Sequence, residues 1–338
     1  MLLWVTKPFG SQTRKASEEG WIMLIAIVGA GMAGLSCAEA MTAFGHEAIL
    51  FDKARGPGGR MSTRRMETPL GEVSFDHGAQ YFTARDPAFV HKVEEWAKAG
   101  VVAPWPAAAE DAWVGAPAMN AVIKAMTAPF DVRWNVHIDR LDRNANGWTL
   151  RAGPSCFDGF DAVVLAVPAE QALPFLSLHD FDLARDAMQA RSLPCWTGMF
   201  VFPEPLGTDQ VVVRDHGAIS WAARGNSKPG RNGPEGWVVQ ARPDWSQEHL
   251  EKEAPHVAAH LLAELGAALG VSQLAAVTAT AHRWRYAMNA GLRIGSLWND
   301  KIRLGACGDW LMGPRVECAW LSGQKLAENI AQTSVVAA

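Results

Sequence analysis

The 338-residue chain has only five cysteines, and no two of them form a C-x-x-C pair. That spacing excludes a CxxC redox motif and a cysteine-rich zinc site, so no metal centre is expected, and it suits a reducing cytoplasm. Charge of one sign is also missing: 31 Lys and Arg against 35 Asp and Glu leave a net −4. A general nucleic-acid or anionic-membrane binder would need a basic excess, so neither partner is expected. No apolar run approaches the ~18 residues that a membrane span needs. Tyrosine is scarce, 2 residues against 15 Trp, so an aromatic cage built from tyrosines could use only Tyr81 and Tyr286. What remains is an ordinary globular composition, 49 % apolar and 20 % charged, with length for two domains or one large domain carrying an insertion.

Residues 1–22 show neither helical nor strand period and read as a disordered extension ahead of Met23. From there the pattern is strand (Leu24–Val28), glycine turn, helix (Met32–Phe44) and strand (Glu47–Phe51). A loop rich in Gly and Arg follows at Arg55–Arg65. Helices are expected at Pro87–Lys98, Pro117–Met126 and His249–Leu269. Strands are expected at Val132–Leu141, Trp148–Ala152, Ala162–Val167, Thr197–Phe202, Gln210–Val213 and Gly236–Gln240. The end reads strand (Ile302–Ala306), glycine turn, helix (Val316–Ile330).

Gly29-Ala30-Gly31-Met32-Ala33-Gly34 is G-x-G-x-x-G between a buried strand and a helix, and Asp52 ends the next strand, 18 residues after Gly34. Gly29 permits the tight turn, Gly31 lets a pyrophosphate approach the backbone, and Gly34 lets helix and strand pack closely. The helix start offers free N–H groups and a positive dipole end, and Asp52 would accept hydrogen bonds from a ribose. A second glycine turn, Arg55-Gly56-Pro57-Gly58-Gly59-Arg60, comes directly after the acidic strand. Guanidinium beside the first turn suits an extended pyrophosphate.

That second turn resembles the R-x-G-G-R tract of the flavin amine oxidase superfamily, with Arg60 carried over and Arg55 one residue out of place. Gly305-Ala306-Cys307-Gly308-Asp309 before a helix is similar to the superfamily's closing flavin motif. Ala166-Val167-Pro168 stands where a flavin hydroxylase would have G-A-D-G. With Asp76-His77-Gly78-Ala79-Gln80-Tyr81-Phe82, G-A-G-M-A-G and F-D-K, the chain looks like a member of the renalase family. The resemblance implies an α/β fold. Its Rossmann-like FAD-binding domain has a parallel sheet and is discontinuous in sequence (23–85, 115–170 and 286–335). An inserted α+β substrate domain of antiparallel sheet and helices covers 86–114 and 171–285. Non-covalent FAD would be held by Gly29, Gly31, Met32, Ala33, Gly34, Asp52, Lys53, Gly59, Arg60, Gln80, Tyr81, Val136, Asp309 and Val316, with Trp310 near the flavin.

The resemblance also implies an oxidase that dehydrogenates 2- and 6-dihydro isomers of NAD(P)H while O2 becomes hydrogen peroxide. One dinucleotide fingerprint leaves no second domain for a nicotinamide reductant, so the donor would enter the substrate pocket. Hydride loss from a dihydronicotinamide leaves an aromatic cation and asks for no general base, so no catalytic triad is nominated. Arg224, Asn226 and Lys228, with Arg231 behind, form a basic loop suited to a substrate phosphate. Trp284 and Arg285 suit ring stacking with anion contact. His77 reads as a structural or flavin-side histidine rather than as a base. Two alternatives stay open: a small-amine oxidase, and a non-catalytic flavoprotein that binds a partner through an exposed apolar face of residues 249–269.

Overall fold

The computed structural model describes residues 16–17 and 20–336 except 272. Ala16–Ser17 pairs with Gly20–Trp21, so part of the expected disordered extension has paired backbone; residues 1–15 lie outside the described residues.

The continuous apolar run at Leu24–Val28 forms the centre of a six-stranded sheet. The order is Leu297–Asn299, Leu304–Ala306, Ala162–Leu165, Leu24–Val28, Glu47–Asp52 and Asp131–Trp134. Every pairing is parallel except that of the edge strand Leu297–Asn299. Strand side chains alternate, so the central strand feeds two cores. Ile25 and Ile27 meet the helices Met32–Ala43, Pro87–Lys98, Ala121–Thr127 and Val316–Val336 on one face. Ala26 and Val28 meet the meander Arg140–Phe160 and the helices Ala169–His179 and Phe181–Gln189 on the other.

A five-stranded antiparallel sheet makes the second layer, ordered Val212–His216, Ile219–Arg224, Gly236–Ala241, Ser192–Val201 and Thr278–Asn289. Helix Ala254–Leu269 covers one face through Val257, Leu261 and Leu265. The hairpin Thr63–Thr68/Gly71–Asp76 covers part of the other, with Val73 and Phe75 against Met199 and Val201. Burial of the 254–269 face removes the observation that would have favoured a partner-binding flavoprotein.

Several sequence expectations change. The strand read over Val132–Leu141 breaks at Asn135, whose φ of 58° is left-handed, and resumes at Arg140. The helix read from His249 starts at Ala254, with Pro255 in its first turn; a separate short helix, Pro243–Glu248, ends at His249. Helix Pro87–Lys98 buries Phe89, Val93 and Trp96, spaced four and three apart, against the nucleotide-side helices. Helices 169–179 and 181–189 pack on that same parallel sheet. These segments therefore share cores with the parallel sheet, and on the 86–114 side Trp221 and Ala223 of the antiparallel sheet join the same core. No helix among the described residues is long and apolar enough to cross a membrane.

Candidate functional site

The first glycine turn sits at the carboxyl end of the central strand. Gly29 has φ of +108°, and a Cβ there would collide with the carbonyl oxygen of Ala166, just past the end of the neighbouring strand. A Cβ on Gly34 would collide with the Gly29 carbonyl and touch Ala166. Gly31 is different, because a Cβ there meets nothing within 4 Å. Gly31 is also the N-cap of helix Met32–Ala43, and no side chain caps that helix. Its first N–H groups, at Met32, Ala33 and Gly34, therefore face an open approach. Asp52 anchors the turn by accepting from the backbone N–H of Ala30 and Ala54, both at 2.8 Å. Gly59, with φ of +54°, lies against Gly31, its Cβ position 3.8 Å from the Gly31 Cα. The two glycine turns are thus adjacent, as expected, and this cradle fits the pyrophosphate of a dinucleotide.

Arg60 leaves the second turn and makes a bidentate ion pair with Asp309, at 2.8 and 2.5 Å, across 249 residues of sequence. Asn289 donates to the same carboxylate at 3.1 Å. Arg60 is half-buried while Asp309 is buried, so the pair closes the cradle from the C-terminal side. Val316 opens the last helix, whose neighbour Glu317 accepts from the N–H groups of Arg85 and Asp86 at 2.6 and 2.7 Å. Lys53 is exposed and donates to Gln171 at 3.0 Å. The Val136 N–H is taken by the Asp52 carbonyl at 3.0 Å, at the rim of a surface cavity of about 330 Å³ lined also by His137 and Phe157. Trp310, expected near the flavin, is a core residue next to Asp309 and donates to the Val167 carbonyl at 3.1 Å.

Segment 76–82 is pinned at three successive carbonyls: Gln80 donates to Asp76, Trp284 to His77 at 2.9 Å, and Gln240 to Gly78 at 2.7 Å. Gly78 itself packs on the Arg60 backbone, where a Cβ would collide with the Arg60 carbonyl. Beneath the segment, Asp76 receives Lys228 at 3.3 Å and Arg231 at closer range, plus the Met119 N–H and the Thr63 hydroxyl. Burial alone would raise the Asp76 pKa, but Lys228 and Arg231 outweigh it and hold the carboxyl at about 2. Burial likewise lowers Lys228 to about 8 despite Asp76.

Two substrate expectations are corrected here. Lys228 is only 3 % exposed, and its ammonium also donates to Gln80 at 3.1 Å. Lys228 and Arg231 therefore neutralise an internal carboxylate and are not presented to a phosphate. Of the remaining loop, Arg224 donates to the Thr208 carbonyl at 3.1 Å and Asn226 is exposed. Trp284 and Arg285 are split by strand alternation. Trp284 joins His77 and His282 in a ring cluster, with centroids 5.1 and 4.7 Å away, whereas Arg285 pairs with exposed Glu251. Burial, then His282 and Arg64, lower the His77 pKa to about 4, so His77 is uncharged at neutral pH. Its Nδ1 has no partner among the described residues.

Sequence reasoning missed Asn289, Trp105 and Arg214. Tyr81 stands 5.2 Å from the Trp221 ring and 6.5 Å from Trp105, each a neighbour only through folding. No short-range spacing signals such a cluster. Burial raises the Cys195 thiol to about 11, and all five cysteines are unpaired.

A family profile described as an NAD(P)-binding Rossmann-like domain matches residues 27–96. The chain has the fold of known oxidases. It is similar, with a TM-score of 0.71 and 11 % identity, to a protein from Exiguobacterium sp. 255-15 assigned as a protoporphyrinogen oxidase, covering 94 % of this chain and 100 % of that one. It is similar to the cyclohexylamine oxidase of Brevibacterium oxydans IH-35A with a TM-score of 0.68 and 13 % identity, covering 92 % and 99 %. A double mutant of putrescine oxidase gives a TM-score of 0.66 and 14 % identity, covering 91 % and 99 %. Identities this low speak for architecture, a mixed α/β fold with a Rossmann-like parallel sheet and a separate antiparallel sheet.

Proposed function

We propose that this protein is a cytoplasmic FAD-dependent oxidase of renalase type that oxidises 2- and 6-dihydro isomers of NAD(P)H to NAD(P)+. The observation that carries the cofactor reading is the open Gly31 cradle, with Gly59 against it and the Arg60–Asp309 pair closing it. Non-covalent FAD would supply, when bound, a hydride acceptor for the substrate and a two-electron donor to O2, with hydrogen peroxide as the product. Met32, Ala33 and Gly34 would hold its pyrophosphate through backbone N–H groups, Asp52 a ribose, and Asp309 the ribitol chain. Arg60, already half-exposed, is able to share its charge between Asp309 and a phosphate.

The substrate reading is supported by the renalase-like segment 76–82, pinned against Arg60, and by the uncharged state of His77. A dihydronicotinamide needs orientation and dry surroundings rather than a base. The unpaired cysteines support a reducing compartment.

The purified protein is expected to be yellow, and acid precipitation should release all of its FAD into the supernatant. Anaerobic stopped-flow mixing should bleach the flavin fast with the 2- and 6-dihydro isomers, slowly with 4-dihydro NAD(P)H, and not with amines. Rapid bleaching by a small amine, with no response to the nucleotides, would replace this reading by the amine-oxidase one.

A further inference from the structure

Strand Thr278–Asn289 ends beside the glycine cradle. Its last residue, Asn289, pairs with Ser192 of the neighbouring strand. Ser192 is itself held by Glu170, which accepts from its N–H and its hydroxyl at 2.8 and 3.0 Å. Two residues before Asn289, the Ala287 carbonyl accepts from Arg60 at 3.4 Å. The strand end is thus fixed to the second glycine turn and, through the Asn289 amide, to the Asp309 carboxylate. A side chain carried on a tied-down strand end keeps its direction.

The amide of Asn289 is only half used. Its Nδ2 donates to Asp309 at 3.1 Å, while its Oδ1 is buried and has no hydrogen-bond partner among the described residues. Asn289 as a whole is 5 % exposed, and a buried amide oxygen normally finds a donor. Turning the amide over gives no relief, because the oxygen would then face the carboxylate of Asp309. The interaction with Asp309 therefore holds the amide with its acceptor unspent, beside a carboxylate that also only accepts. Two neighbouring acceptors of this kind call for a ligand with neighbouring donors.

We propose that Asn289 is a cofactor-binding residue whose Oδ1 accepts from a hydroxyl of the ribitol chain of FAD, next to the hydroxyl taken by Asp309. Successive carbons of that chain each carry an O–H, so one segment of ligand supplies donors to both acceptors. Arg60 is the cover that moves. Its side chain is long and 35 % exposed, against 8 % for Asp309, so a shift of its guanidinium toward a pyrophosphate at Gly31 uncovers the carboxylate and the amide oxygen together. This assignment rests on the cofactor reading above and adds a residue that lies outside the glycine turns and the closing motif.

The test loads the full-length chain, stripped of flavin, with FAD and with FAD analogues that each lack one ribitol hydroxyl. Dissociation constants are read from the change in flavin fluorescence. Asn289→Leu removes the acceptor and should weaken FAD about 5- to 15-fold. Toward the analogue that lacks the contacted hydroxyl, wild type and variant should agree within about twofold, because the interaction is missing from both. Asn289→Ser, too short to reach the chain, should repeat the pattern and takes over where the leucine variant fails to fold. Weakening of FAD and of every analogue by the same factor would mark a purely structural amide and overturn the proposal. Unchanged FAD affinity in both variants would overturn it as well, while leaving the cofactor reading in place. A wild type that binds no FAD would overturn the cofactor reading itself, and this contact with it.

Discussion

A methyl group added at Gly29 would meet the Ala166 carbonyl, and one at Gly34 the Gly29 carbonyl, while one at Gly31 meets nothing within 4 Å. Gly29→Ala and Gly34→Ala should therefore each lower the stability of the flavin-free protein by about 1–3 kcal/mol in urea denaturation. Gly31→Ala, at an ordinary φ of −85°, should change that stability by less than about 0.5 kcal/mol and yet lose FAD. Equal destabilisation by all three would contradict the separate role of Gly31. At Asp76 the balance runs through buried charge. Asp76→Asn leaves Lys228 and Arg231 facing a neutral amide, and should cost about 3–5 kcal/mol in the same assay. A variant as stable as wild type would show that the cations reach water.

At the scale of one element, the segment from strand Gly71–Asp76 to Phe82 makes stability depend on acid in two windows. The His77 pKa is depressed to about 4 from 6.5, chiefly by burial. As pH falls from 6.5 the unfolded chain takes up this proton and the folded one does not. Stability present above pH 6.5 is thus lost down to pH 4, by up to about 3 kcal/mol. Asp76, depressed to about 2 from 3.8 because its two cations outweigh burial, adds a loss of about 2 kcal/mol between those values. His77→Phe should flatten the upper window and leave the lower one. His282, lowered by burial and Arg64, keeps some slope there. The check is a set of denaturation curves from pH 8 to 2, and an upper window unchanged by the substitution would refute the assignment.

Across the whole molecule, Arg60 and Asp309 join the second glycine turn to the turn before the last helix. Gly323 lets that helix press on the first one, since a Cβ there would collide with the Ala33 carbonyl. The proposed cofactor site is thus assembled from the two ends of the described chain, so FAD should stabilise the native state as a whole. Melting temperature should rise with added FAD, by the equivalent of about 2.7 kcal/mol at a hundred times Kd. A melting temperature indifferent to FAD would argue that the cradle holds no such ligand.

What could be read in one dimension was what depends on near neighbours. G-x-G-x-x-G lies within six residues, and the turn at Gly29 and the close packing at Gly34 follow its spacing because both are local. The inner parallel strands Leu24–Val28 and Ala162–Leu165 showed for the same reason, as continuous buried apolar runs. Tertiary structure decided the charges. A basic loop at 224–231 looks alike in sequence whether its cations face water or a buried carboxylate. Only the approach of Asp76, 152 residues from Lys228, turned two of them inward. Strand alternation sent Trp284 to His77 and Arg285 to Glu251. Trp105 and Trp221 became one cluster because two distant segments pack there, a contact that carries no periodic signal.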